Sequence, residues 1–560
     1  MNILARYGLP RMTVVLIMLT AILMPIGLVV WQSGLDAPFF MPNHAYGLDA
    51  YRFIFDDPDF WSALKNTIII AVTMLAIAVP LGGALAFLLA RTDLPCRRAI
   101  ELMVMVPVFV SPFVLGFGYV VATGPVGFYS LWFQQLFGVI PWNIYSVGSI
   151  AVIAGLTHVP HVYLYASSAL KNLGSDVEEA ARVSGASPFE VARRISLPMV
   201  SPSLLYAGVL VFFLGFEIFG LPLILGDPEG HLVLASYLYK LTNKLGIPSY
   251  HLMAAVAVCL ICVTFPLVLL QRYLLRSANR YIAVKGKVTR QKRLPLGNWR
   301  WAAFALVTMW LFVTVVVPLS GITFRAFVSF WGEGVTFSEA FTLHAFAEIW
   351  NQPNLLRSVL NSVLIGVIGG AVAVMAYTAI GLASHRKQDG LTRIVDYLVL
   401  IPRAVPGLLA GLAFLWVFLF VPGLKELRST LISVWLAYTV VWLAYGMRLI
   451  SSALLQVAPE LEESARTLGA SAGRTSRDVT IPLIKFGLLS SWVLMFMIFE
   501  REYSTGVYLL SPGTEVIGSM LVSLWAAGAV DIVAALSLIN VALVAIGLAI
   551  ALKFGVNLHE

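Results

Sequence analysis

The chain has 560 residues, of which 59% are apolar and only 12% charged, with a formal net charge of +8 and three cysteines. Soluble domains carry about twice that charge fraction, so a soluble globular enzyme, a disordered chain and a disulfide scaffold are all excluded. What remains is an integral membrane protein built of helices, long enough for about ten to twelve crossings.

Twelve apolar runs follow one another along the chain: 12–31, 63–90, 102–122, 146–170, 202–226, 251–272, 301–319, 359–384, 397–421, 430–453, 486–510 and 529–552. The first follows Arg6 and Arg11, as a signal peptide would. It is about 20 residues long and lacks a convincing small-residue cleavage site, so we expect a retained span. The fourth holds His158 and His161 around Pro160. That pair suits a transition metal, but no third ligand accompanies it, and helix packing is the preferred reading. The sixth contains Cys259-Leu260-Ile261-Cys262, which has redox or metal spacing. With no second pair nearby, these are read as small apolar residues of a membrane helix. No phosphate loop of the type Gly, four residues, Gly-Lys and Ser or Thr occurs, so the chain shows no sign of hydrolysing a nucleotide itself.

Lys and Arg orient the spans. With the N-terminus in the cytoplasm, inside segments hold 27 of the 37 basic residues, outside segments eight, and Arg403 and Arg501 lie within spans. The C-terminus is then also cytoplasmic. The stretch 272–300 has nine basic residues and no acidic one. It reads as a cytoplasmic linker touching anionic lipid rather than a nucleic-acid patch.

That linker separates two similar halves. Ser167-Ser168-Ala169-Leu170 recurs as Ser451-Ser452-Ala453-Leu454, 284 positions later. Residues 178–187 recur as 462–471 at the same offset, with seven of ten positions identical. Earlier in each half the offset is 295: Pro58 with Pro353, Asn66 with Asn361, Pro107 with Pro402, Gly116 with Gly411. The difference places extra first-half residues near 123–145. Six spans separate corresponding points, so the copies share one orientation. The expected fold is all-α, about twelve transmembrane helices as two parallel six-helix repeats with pseudo-two-fold symmetry. We divide the chain into a first half 1–272 with a loop at about 171–201, a linker 273–300, and a second half 301–560 with a loop at about 455–485.

Each repeated segment lies in a cytoplasmic loop. Ser175 and Glu178 have capping-box spacing, and so do Ser187 and Glu190 around Pro188. Val177, Ala181 and Ser184 share a helix face in the first copy; Leu461, Ala465 and Leu468 share one in the second. Gly185 and Gly469 permit a chain reversal. We expect Pro198 and Pro482 to close the two loops, and the second capping box to be missing because Arg474 replaces Glu190. Two near-identical amphipathic elements in otherwise divergent halves point to docking on two copies of one partner.

Glu179-Ala180-Ala181, three residues, Gly185, nine residues and Ile195-Ser196-Leu197-Pro198 resemble the EAA loop of ABC importer permeases. Glu463-Ser464-Ala465, three residues, Gly469, nine residues and Val479-Thr480-Ile481-Pro482 resemble it again. In that family a short coupling helix sits in a groove of each ATPase subunit, and closure of the ATPase dimer switches the pore. The resemblance implies coupling residues Glu178, Glu179, Ala180, Ala181, Gly185, Glu462, Glu463, Ala465 and Gly469. It implies an ATPase homodimer inside, which binds ATP and Mg, and a periplasmic or extracellular binding protein outside. It also implies a bacterial inner-membrane location and no catalysis or cofactor in this chain. A single chain with two such loops looks like the fused branch typified by ferric-iron and thiamine permeases. Glu500-Arg501-Glu502-Tyr503-Ser504 and Ser511-Pro512-Gly513-Thr514-Glu515 resemble the ferric-iron type.

Charges inside spans are costly and usually face a cavity or a partner. Glu217, Arg403, Glu500, Arg501 and Glu502 are therefore candidates for the substrate path, with an internal ion-pair network as the alternative. Two prolines around Arg403 are expected to disrupt its helix. Ferric iron is the first choice of cargo. Phosphonate, thiamine, polyamine and phosphorylated sugar are alternatives, and an ion-coupled secondary transporter is the competing class.

Overall fold

The computed structural model describes residues 9–172, 176–243, 248–278, 294–387 and 389–553. The basic residues 279–293 and the first capping serine, Ser175, lie outside them. Among the described residues the chain is helical, with three isolated β-bridges. Among the described residues nine helices are long and apolar enough to cross a membrane, and counting each of three bent pairs as one span gives twelve.

We number the spans in order. The first half has α1 (Leu9–Ser33), α2 (Pro58–Arg91), α3 (Arg97–Phe109 and Pro112–Thr123), α4 (Val147–Asn172), α5 (Phe189–Glu217) and α6 (Tyr250–Ala278). The second has α7 (Trp299–Ala326), α8 (Pro353–Ser384), α9 (Gly390–Leu398 and Gly407–Phe420), α10 (Leu431–Val441 and Leu443–Leu455), α11 (Ala472–Leu483 and Lys485–Arg501) and α12 (Val530–Lys553). The extra first-half residues near 123–145 form a short helix, Phe128–Phe137.

The repeat is visible in individual bonds. Asn66 on α2 donates to Leu232 O at 2.9 Å, and Asn361 on α8 donates to Glu515 O at 2.8 Å. The next residue repeats the relation: Thr67 Oγ1 accepts from Leu234 N at 3.0 Å, and Ser362 Oγ accepts from Ile517 N at 2.9 Å. In lipid such backbone groups find no water, so a side chain from a neighbouring span supplies the partner.

The two halves are interlocked. α1 packs on α6 of its own half and on α8 and α9 of the other. α7 does the same, packing on α12 and on α3 and α4. Arg11 at the start of α1 pairs with Asp389 at 2.7 Å and donates to Ala383 O at 2.7 Å. α7 meets α3 at a site that demands small residues: a Cβ on Gly118 would lie 2.5 Å from Pro318 O.

Close packing between α2 and α4 repeats between α8 and α10 with the sizes exchanged. A Cβ on Gly82 of α2 would come within 2.6 Å of Val162 of α4. At the equivalent places Tyr377 stands on α8 and Gly446 on α10, whose added Cβ would lie 2.2 Å from the Tyr377 ring. In each pair a glycine makes room for a larger side chain on the facing helix, and the two helices exchange those roles between the halves.

Three spans read as continuous helices, α3, α5 and α11, are broken, and α9 is broken where its two prolines led us to expect. α3 becomes extended at Val110 and Ser111, and α9 at Val405 and Pro406, 295 positions later. α5 stops at Glu217, with Ile218 extended; α11 stops at Arg501, with Glu502 extended. Beyond these breaks the chain continues only as short separate turns of helix, Gly220–Leu225 and Val507–Leu509. The freed groups find tertiary partners: Tyr503 Oη accepts from Gly220 N at 2.9 Å, and Ala404 O accepts from Thr264 Oγ1 at 2.6 Å. Pro198, in contrast, does not end its helix. The chain widens into a π-turn at Ala192–Ser196 and runs on into α5, so the proline's missing N–H falls at a turn that already departs from α-helical bonding. In the second copy the bend follows Pro482, at Ile484, and measures 71°.

Candidate functional site

The two loops fold alike. The first short helix, Asp176–Val183, ends at Gly185 with φ of 91°; the second, Pro459–Thr467, ends at Gly469 with φ of 88°. Ala186 N donates to Ala181 O at 3.0 Å, and Ala470 N to Ala465 O at 3.1 Å, the bond that closes a helix around a left-handed glycine. The capping box at Ser187 is formed, with Ser187 N donating to Glu190 at 3.0 Å and Glu190 N donating to Ser187 Oγ at 3.3 Å. In the second copy Ser471 Oγ still accepts from Arg474 N at 3.3 Å, so half of the box survives.

Neighbouring glutamates in each loop point different ways. Glu178 is buried, 3.4 Å from Arg91 at the end of α2, and accepts from Ser196 Oγ at 2.7 Å. Glu462 is buried and accepts from Arg386 at 2.6 Å and Thr480 Oγ1 at 2.7 Å, with His385 at 3.1 Å. Burial pushes the Glu462 carboxyl up, but these donors overcome it and hold it below the usual range. Glu178 and Glu462 thus tie each loop to its own half and do not present to a partner. Turning 100° per residue, the helix brings Glu179 and Glu463 round to its outer side, where Glu463 is exposed and Glu179 half-buried. Ala180, Gly185 and Gly469 are also exposed, and Ala181 and Ala465 half-buried. Val183 is 90% exposed and Leu468 89%, large apolar groups on the loops' outer surface. Sequence reading missed the tethers Arg91 and Arg386. They stand 295 apart, the spacing already seen in Asn66 and Asn361, and that spacing would have found them.

Between the halves lie two adjoining cavities. The one nearer the loops is about 290 Å³, and the deeper one about 130 Å³. Both are lined by Glu217, Arg501 and Glu502 at the breaks of α5 and α11, and Arg403 at the α9 break lines the larger. Unwound backbone at membrane depth is tolerated where it lines a cavity or is buried in protein. Arg501 donates to Val108 O at the α3 break and its guanidinium lies 5.5 Å from the Trp442 ring. Arg403 lies 5.8 Å from the Phe213 ring, and its Nε is buried without a partner. Glu502 is held by five donors: Oε1 accepts from N and Oγ of Ser504 and from N and Oγ1 of Thr505, and Oε2 from Trp442 Nε1 at 2.9 Å.

Glu500 does not line either cavity. One residue before Arg501, it is turned about 100° round the helix. It lies against Gly366 of α8, with Asn540 of α12 donating to its backbone carbonyl at 2.7 Å. The sequence also missed Arg448, which lines the larger cavity and donates to Tyr165 Oη at 2.7 Å. His158 and His161 stack 5.2 Å apart in the cavity wall.

Twelve spans in two equivalent interlocked halves, with broken helices around a charged central cavity, define a membrane transport protein. The comparison with known families is specific. Residues 78–280 and 376–555 match the family of binding-protein-dependent transport system inner membrane components. The chain belongs to that family, and is a multi-pass inner-membrane protein. A ferric transport system permease protein, FbpB, of Actinobacillus pleuropneumoniae is 24% identical over 440 residues, 77% of this chain and 62% of its own length. This chain therefore spans less than two thirds of that relative. A putative FbpB of Haemophilus influenzae is also 24% identical over 440 residues, 77% of this chain and 68% of its own. A putative 2-aminoethylphosphonate permease, PhnU, of Salmonella choleraesuis is 27% identical over 218 residues, 38% of this chain and 73% of its own.

Proposed function

We propose that the chain is the permease subunit of a binding-protein-dependent ABC importer, with ferric iron as its cargo. The observation that carries this reading is the pair of loops. Each is tethered inward by a buried glutamate and presents an acidic residue and a large apolar one outward, as docking to two copies of one ATPase requires. ATP and Mg belong to that ATPase, and a soluble binding protein delivers cargo on the opposite face. The loops lie on the side that holds 27 of the 37 basic residues, which makes it cytoplasmic. Iron is preferred because the ferric permeases align over 77% of this chain and the phosphonate permease over 38%.

The test uses the chain co-expressed with the ATPase and reconstituted with the binding protein in vesicles. Iron uptake is expected to require ATP and the binding protein. A Glu179→Arg, Glu463→Arg double variant should insert normally and lose the ATPase on purification. Uptake driven by an ion gradient without ATP would overturn the reading.

A further inference from the structure

We infer that the larger cavity is an oxyanion site, which holds its cargo through a carboxylate, phosphate or phosphonate group rather than as a bare metal ion. The inference rests on the import reading and narrows its cargo. Three guanidiniums line the cavity, those of Arg403, Arg448 and Arg501, against two carboxylates, Glu217 and Glu502. Among the described residues none of the three forms an ion pair with a carboxylate.

One of the two carboxylates, Glu502, is also engaged by the protein itself. All five donors around Glu502 come from its own loop and Trp442, four of them on Oε1, so that oxygen is fully engaged. Among the described residues no group of three His, Cys, Asp or Glu stands ready to hold a metal. Each guanidinium carries five N–H donors. The structure uses one nitrogen of Arg448 on Tyr165 and one of Arg501 on Val108, and leaves Arg403 Nε unpartnered. A trivalent cation without ligands would meet repulsion from three sides. An oxyanion, free or bound to a ferric ion, meets unspent planar donors of the geometry that binds it best.

The three arginines come from the second half alone. Their equivalents in the first half, at offsets of 295 and 284, are Val108, Leu164 and Glu217. Recognition is thus asymmetric in a pore whose helices are symmetric.

Equilibrium binding to the full permease–ATPase complex in lipid nanodiscs tests this. The probes are radioactive iron as its anionic citrate complex, radioactive iron as its neutral tris(acetohydroxamate) complex, and radioactive phosphate alone. The citrate complex should bind, and Arg403→Gln or Arg448→Gln should each weaken it about tenfold, as loss of a charge-assisted contact does. Arg403→Lys should keep part of the affinity. Both glutamine variants should retain the ATPase, which separates a lost site from a lost fold. Equal binding of the neutral and anionic complexes, or unchanged binding in the variants, would overturn the oxyanion site and leave ferric transport standing. Arginine-dependent binding of phosphate with no binding of either iron complex would uphold the site and overturn iron as the cargo.

Discussion

Glu462 keeps its charge in a buried position because Thr480, Arg386 and His385 surround it, and Glu178 has matching partners in Ser196 and Arg91. Its neighbour Glu463 is exposed and makes none of these bonds. Substituting the two should therefore separate stability from docking. Glu462→Gln removes charge-assisted bonds and should cost about 2 kcal/mol, read as a lower unfolding temperature and faster proteolysis of the loop. Glu463→Gln should leave both unchanged. The sign of the pH dependence follows from the depressed carboxyl. The stabilisation is complete above the ordinary glutamate value of about 4.3 and is lost as pH falls through the lower folded value. Loop proteolysis in the wild type should accordingly rise only under acid conditions, and Glu462→Gln should flatten that response. A helical reading at 100° per residue distinguishes 178 from 179, but which of them faces inward depends on Arg91, 87 positions earlier, and the local pattern holds no trace of it.

Among elements, the inverted size pair of Gly82 with Val162 and Tyr377 with Gly446 makes a sharp prediction. Gly446→Val alone should abolish the yield of folded protein, because a Cβ there already meets the Tyr377 ring at 2.2 Å. Adding Tyr377→Gly reproduces the arrangement of the first half and should restore folded protein, measured as a monodisperse peak in detergent. Failure of the double variant to recover would refute the size-exchange account. The twelve spans were legible because apolar runs of sufficient length have few other uses in a chain of this composition. The break in α9 was legible in Pro402 and Pro406, whereas those in α3, α5 and α11 were not. Ile218 and Glu502 are extended because tertiary partners such as Tyr503 and Trp442 hold the unwound backbone and Glu502, and hydropathy is blind to such partners. Prolines misled in both directions: Pro198 continues a helix across a π-turn, while the bend in the second copy falls two residues beyond Pro482.

At the scale of the whole molecule, α1 and α7 each bridge the halves, so the covalent connection through 279–293 is not what holds them together. A chain cut within that stretch and co-expressed as two pieces should assemble and copurify. An Arg11→Gln variant of the cut form should lose much of the complex, because it removes the pairing with Asp389. Dissociation of the cut but otherwise native pieces would contradict the interlock. The interlock also sets a timetable. Arg11 and Asp389 are 378 positions apart, and at about 5–20 residues per second a ribosome needs roughly 20–75 s to travel between them. Through most of that interval α1 waits in the bilayer with α6 but without the second-half helices it will finally clasp. α1 precedes its second-half partners by hundreds of residues and is therefore late to lock, and the nascent first half must survive as an open intermediate until translation delivers its counterpart.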